Sequence, residues 1–331
     1  MQPTARDMGV DLDVEAPRLM RQAVAMTART ALVALLCGAA AIGFAPIFVR
    51  WSEVGPSATA FWRIALALPL LALWRAAERQ RGGMDASLSA SERRRLLLAG
   101  LFFAADLAVW HWSIRFTSVA NSTLLANFAP VFVTLGGWLL LRQSVTGRFL
   151  LGMSLALSGA WLLMSGKAAA TAPAAGHSLV GDALGLLTAV FYASYILAVA
   201  DLRRRCSTAT IMVWSGVACA PALLAAALLS RETLLPATGG GWAVLVGLAL
   251  ISQVLGQSLI ASALATLPAS FSSVGLLFQP LCAALLAWVL LAEPLGPRQA
   301  LGGAIVIAGV ALSRRGSAPV AHRAPSVQDS E

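Results

Sequence analysis

Two ionisable residues sit inside apolar runs where charge is poorly tolerated. Arg63 lies in GPSATAFWRIALALPLL (55–71) and Asp106 in LFFAADLAVWHW (101–112). An ionised side chain at the centre of a bilayer costs at least about 2.5–3.5 kcal/mol on insertion scales, so one kept there marks a substrate pathway, a proton relay or an internal pair. Arg63 offers a planar fork of donors suited to a carboxylate. Asp106 can bind an amine or take up a proton, and so can His111, about one and a half turns further along, which titrates near neutral pH. The bland alternatives are internal pairing of Arg63 with Asp106 or a backbone carbonyl to fix helix packing and, for His111 between Trp110 and Trp112, a place in an interfacial aromatic belt.

Neutral polar residues recur at helical spacing, the pattern of faces turned toward a bundle interior. Thr123, Asn127 and Thr134 form one such stripe, Thr188, Tyr192 and Tyr195 a second, Gln253 and Gln257 a third, and Ser272, Gly275 and Gln279 a fourth. Of these, Asn127, Tyr192, Gln253, Gln257 and Gln279 are candidates for lining an aqueous cavity, with interhelical hydrogen bonding as the alternative. Catalytic chemistry has little support. There is no HExxH, GxxxxGK or GxSxG, and His111, His177 and His322 are scattered. Cys37, Cys206, Cys219 and Cys282 have no metal-ligand spacing, so neither a catalytic residue nor a metal or cofactor is expected.

The elements that must position these residues follow from composition. The 331 residues are 58% hydrophobic and 12% charged, with a mean hydropathy of +0.77, against about 25% charged in soluble domains. A soluble fold of this composition would expose large apolar patches, so the expected surroundings are a lipid bilayer. The net charge of +9 does not imply nucleic acid, because the basic residues fall in short clusters between apolar runs and not in a stripe interleaved with aromatics.

A membrane-crossing helix needs about 20 apolar residues. Ten such runs are legible, at 30–49, 57–75, 95–113, 118–141, 147–166, 181–201, 208–229, 242–262, 269–291 and 298–314. Polar tails flank them at 1–29, which lacks the apolar core of a signal peptide, and at 315–331. Arginines gather on the side of the two tails, while Arg50, Arg115, Lys167, Arg231 and Arg298 fall on the other. Positive loops stay cytoplasmic, so both termini are expected inside.

The chain also repeats. A shift of 150 aligns Ser122 with Ser272, Phe128 with Phe278, Pro130 with Pro280, Trp138 with Trp288, Gly152 with Gly302 and Gly159 with Gly309. Five spans per copy is an odd number, so the second copy enters the membrane in the opposite sense. The expected fold is an all-α polytopic membrane protein of ten transmembrane helices in two inverted five-helix repeats, 30–166 and 181–314, joined by an extracytoplasmic linker at 167–180. Inverted repeats mark secondary transporters, whose site lies near the bilayer midplane. Pro130 and Pro280 predict paired bends, and the glycines of the fifth and tenth spans predict a packing or homodimer face.

The segments 55–71, TSVANSTLLANFAPVF (117–132), WLLL (138–141), GDALGLLTAVFYASY (181–195) and SFSSVGLLFQPLCAALLAWVLLAEPLGPRQALGGAIVIAGV (270–310) resemble the EamA-type carriers of the drug/metabolite transporter superfamily. The likeness runs from Thr30 to Arg314. It implies a five-plus-five carrier of the bacterial inner membrane that moves amino acids, other small metabolites or drugs, often outward, by alternating access. Departures exist: Gln143 stands where an acid is usual, although Glu293 is its acidic repeat partner, and the first span lacks the buried glutamate of the small multidrug members. Proton coupling through Asp106 stays open, as do a non-transporting sensor or scaffold and, less favoured, a membrane-embedded enzyme.

Overall fold

A computed structural model describes residues 26–81, 88–117, 119–141, 144–168 and 179–317, and all regular structure among them is helical. The first half holds α1 (Ala28–Gly43), α2 (Ala45–Trp51), α3 (Pro56–Gln80), α4 (Ala90–Phe116), α5 (Val119–Ala126), α6 (Ala129–Leu141) and α7 (Gly147–Ala168). The second holds α8 (Leu179–Leu202), α9 (Thr208–Leu229), α10 (Gly239–Gly247), a π-helix (Leu248–Gln257), α11 (Ser258–Ala263), α12 (Ala269–Gly275), α13 (Phe278–Leu291) and α14 (Pro297–Gly316). Helix starts carry the residues that satisfy orphan N–H groups. Thr27, Ser207 and Thr238 accept from backbone N–H groups three residues on, and Ser89 with Glu92 forms a capping box. Pro56 and Pro297 occupy first-turn positions, where no donor is lost.

Nine stretches among the described residues are long and apolar enough to cross a membrane. The tenth expected span, α14, forms a 20-residue helix but does not meet that standard. Arg298 at one end, Arg314 and Arg315 at the other, and Gly302, Gly303 and Gly309 between them shorten and dilute its apolar run.

Three expected spans break next to a proline. The first breaks at Phe44, just before Pro46, the fourth between α5 and α6 just before Pro130, and the ninth between α12 and α13 just before Pro280. Each proline removes the N–H that would close the preceding turn and crowds the carbonyl four residues back. Pro69 and Pro221 lie inside unbroken helices. The eighth span, expected as one α-helix, widens into ten residues of π-helix. There Gly256 and Gly38 bring the π-helix and α1 into backbone contact, since a Cβ on Gly38 would lie 2.8 Å from the Gly256 carbonyl oxygen.

The glycines of the fifth and tenth spans pack against each other inside the chain. A Cβ on Gly152 would lie 2.8 Å from Gly309 O, and one on Gly159 would lie 2.8 Å from Gly302 O. The contacts cross: Gly152 meets the repeat partner of Gly159, and Gly159 meets the repeat partner of Gly152. That crossing is the pattern of a two-fold relation, in which a contact from i to j implies one from j to i. Gly309→Leu is expected to force α7 and α14 apart and to destabilise the protein by about 1–3 kcal/mol, read as a lower unfolding temperature of the purified protein in detergent.

At the end away from the tails, the 51–56 and 230–238 connections cap each other's helices. Glu232 Oε2 accepts from Ala58 N in the first turn of α3 (2.9 Å), and Glu53 accepts from Ala237 N (2.8 Å), Thr238 N (3.0 Å) and the Thr238 hydroxyl at the start of α10. Arg231, in the left-handed region at φ 53°, turns the chain out of α9 just before Glu232. The Thr238 hydroxyl and amide hold the Glu53 carboxyl below the usual glutamate range. A carboxyl with a lowered folded-state pKa stabilises above its unfolded value, near 4.5, and loses that contribution as pH falls through the folded value. Glu53→Gln is therefore expected to flatten the acid limb of the unfolding temperature measured between pH 3 and 6.

Candidate functional site

A cavity of about 200 Å³ opens where two of the proline-broken spans, the fourth and the ninth, meet, lined by Ala126, Asn127, Ala129 and Pro130 on the fourth and by Ser273, Leu276, Leu277 and Gln279 on the ninth. One water needs about 10–15 Å³ on the same kind of measure, so there is room for a small solute. Arg63, Asp106, Asn127, Tyr192, Gln257 and Gln279 all face this one space, although they come from six different spans. Ile42 and Leu107 add apolar wall.

Arg63 is 8% exposed. Its Nε donates to Gln253 Oε1 at 3.0 Å, and its guanidinium lies 5.8 Å from the centroid of the Phe103 ring. Phe103 stacks on Tyr195 at 4.7 Å, and the Tyr195 hydroxyl accepts from Gln257 Nε2 at 3.0 Å. The π-helix thus supplies both ends of a brace: Gln253 holds the arginine and Gln257 holds the tyrosine beneath it. Gln253 is 3% exposed and lies outside the cavity lining, its bond to Arg63 being the interhelical alternative stated for it.

Asp106, also 8% exposed, lies three residues beyond Phe103 on α4 and faces the same cavity as Arg63. They form no direct ion pair. The ion pairs among the described residues are Arg50–Glu293 and Arg95–Asp201, both near helix ends. Of the packing alternatives, the direct Arg63–Asp106 pair is absent, while Arg63 does bond internally to another helix through Gln253. Glu293, the acidic repeat partner of Gln143, takes Arg50 as a partner.

The other polar residues divide. Asn127 gives one N–H to the weak thioether acceptor of Met164 (3.2 Å), which leaves a second N–H and its carbonyl toward the cavity. Thr188 and Thr134 donate to carbonyls one turn back in their own spans, at 3.0 and 2.7 Å, so these hydroxyls serve their helices. His111 falls within α4, but its side chain lies outside the described residues. Phe103 was missed by sequence reading because an aromatic in an apolar run carries no polar signal. Its spacing three residues before Asp106 was the one available clue, since that spacing shares a helix face.

The cavity is not closed equally at its two ends. On the tail side α12 packs against α6, and every residue from Ala269 to Leu277 is buried. Among the described residues, the repeat-equivalent halves on the other side, α5 and α13, make no comparable packing. Most of Asn121 to Asn127 is only half-buried.

A multi-pass helical membrane protein with a polar cavity at paired helix breaks has the build of a membrane transporter. The chain belongs to the EamA-like transporter family, whose sequence model matches residues 29–165 and again 179–315. It is 25% identical over 282 residues to an uncharacterized transporter of Archaeoglobus fulgidus, covering 85% of this chain and 95% of that one. It is 28% identical over 225 residues to the pseudopaline exporter CntI of Pseudomonas aeruginosa, covering 66% and 74%. It is 26% identical over 220 residues to the uncharacterized transporter YwfM of Bacillus subtilis, covering 65% and 71%. A solved crystal structure shares the fold with a TM-score of 0.71 at 17% identity, covering 87% of this chain and 98% of the other.

Proposed function

We propose that this chain is a secondary carrier that exports a small zwitterionic or organic-anion metabolite across the bacterial inner membrane, by alternating access between two inverted five-helix repeats with both termini cytoplasmic. The observation that carries the reading is the convergence of Arg63, Asp106, Asn127, Tyr192, Gln257 and Gln279 on one cavity at the level of the paired breaks. Interrupted helices in corresponding positions of two halves are where such carriers bind their solute.

In this reading Arg63 takes a carboxylate of the solute through the guanidinium nitrogens that Gln253 leaves free, and Asp106 takes its amine or a proton. Asn127 and Gln279 bond to the remainder. The crossed glycine contacts of α7 and α14 support the inverted relation of the halves. The unequal closure supports a state open away from the tails, which releases an exported solute outside. The relative named as an exporter supports the same direction.

The test is a comparison of metabolites outside and inside cells with and without the protein, repeated in cells carrying Arg63→Ala. A carboxylated solute that leaves only the cells with the unaltered protein supports the reading. Identical profiles across a wide panel, at verified membrane expression, would oppose it.

A further inference from the structure

The geometry points to an anionic phospholipid site at the tail end of the seam between α4 and α8, in which Arg93, Arg94, Arg204 and Arg205 hold the lipid phosphate. Two arginine triplets, Arg93 to Arg95 and Arg203 to Arg205, meet here because α4 and α8 pack along their length. Arg95 bonds Asp201, 106 residues away in sequence, at 3.3 Å.

Among the described residues, both carboxylates of this corner are engaged. Asp201 holds Arg95, and Glu92 Oε2 accepts from the Ser89 amide (2.9 Å) and hydroxyl (2.8 Å) in the capping box. Arg203 turns inward to the Cys206 carbonyl at 2.5 Å. Arg93, Arg94, Arg204 and Arg205 remain exposed and form no ion pair among the described residues. Retention of positive loops on the cytoplasmic side accounts for arginines at this end of the molecule. It does not account for the convergence of two distant triplets on one seam with their carboxylates already engaged.

The surface beside the arginines has the form of a lipid. Arg94, Leu98 and Leu101 follow the i, i+4, i+7 spacing of one helix face, and the two leucines are 46% and 48% exposed. A phosphate at Arg94 therefore continues into an acyl chain along Leu98 and Leu101. Basic pockets between helices at the membrane boundary take anionic headgroups in this way. A free anion would use the arginines and leave the leucine stripe without a role.

The test uses the purified full chain in a neutral detergent, titrated separately with phosphatidylglycerol, phosphatidylcholine and inorganic phosphate, with retained lipid read by native mass spectrometry. Phosphatidylglycerol is expected to be retained and phosphatidylcholine not, with retention falling as salt is raised. Changing the four exposed arginines to glutamine is expected to weaken retention at least about tenfold. Changing them to lysine, which keeps the charge, is expected to hold it within about threefold, while Arg298→Gln at the opposite end leaves it unaltered. Equal retention of the two lipids, retention unchanged in the glutamine variant, equal loss in the lysine and glutamine variants, or displacement of the lipid by inorganic phosphate would each overturn the site.

Discussion

Arg63→Ala is expected to lower solute flux per folded molecule by about 10–100-fold, the range that follows when a hydrogen bond to a charged group, worth about 1.5–3 kcal/mol, is removed. The guanidinium is buried, points into the cavity and is positioned by the Gln253 bond and the Phe103 ring, so its orientation is set before the solute arrives. Arg63→Lys keeps the charge but loses both the planar fork and the Nε bond, and its flux is expected to fall between that of the unaltered protein and the alanine variant. If Arg63 served only packing, the alanine variant would unfold at a lower temperature while its remaining folded fraction transported normally. Measuring flux and unfolding temperature on the same preparation separates the two roles.

Asp106→Asn is expected to have the opposite signature in stability. The side chain keeps its volume, and Asp106 makes no direct ion pair that the change could break. Removing a buried carboxyl that has no ion-pair partner is expected to leave the unfolding temperature unchanged or raise it. Flux is expected to fall about tenfold or more, and the residual flux to lose any response to an imposed pH gradient. Flux in the asparagine variant that still follows the gradient would assign coupling to another group. Normal flux would remove Asp106 from the solute path.

Much of this arrangement was legible in residue order, for physical reasons that can be named. Arg63 and Asp106 stood out because charge in an apolar run is rare by energy alone. Pro130 and Pro280 marked the breaks because a proline's missing N–H opens the preceding turn, although Pro69 and Pro221, equally visible in sequence, sit inside unbroken helices. The glycines of α7 and α14 marked close approach because only they admit it, but whether the partner was another helix of this chain or a second copy depended on distances that no local pattern encodes.

What sequence could not supply were features set by packing between distant segments. Gln253 and Gln257, four apart, share one face on an ideal α-helix. The π-helix changes that spacing, so one braces Arg63 from behind and the other reaches Tyr195. Glu53 and Glu232 cap each other's helices across more than 170 residues, and neither carries a local signal for it. The shortfall of α14 shows the converse: a 20-residue helix can form from close glycine packing where its own apolar run is modest.

The central claim, that the cavity at the paired breaks is the solute's path, is tested most directly by a cysteine at Asn127. In a background lacking Cys37, Cys206, Cys219 and Cys282, Asn127→Cys is placed in oriented vesicles. A membrane-impermeant thiol reagent is then supplied first on the face away from the tails and then on the tail face, with and without the exported solute. The account predicts faster modification from the face away from the tails, slower modification when solute is bound, and measurable modification from the tail face as the protein cycles. A thiol that stays unmodified from both faces, or one whose modification ignores the solute, would contradict it.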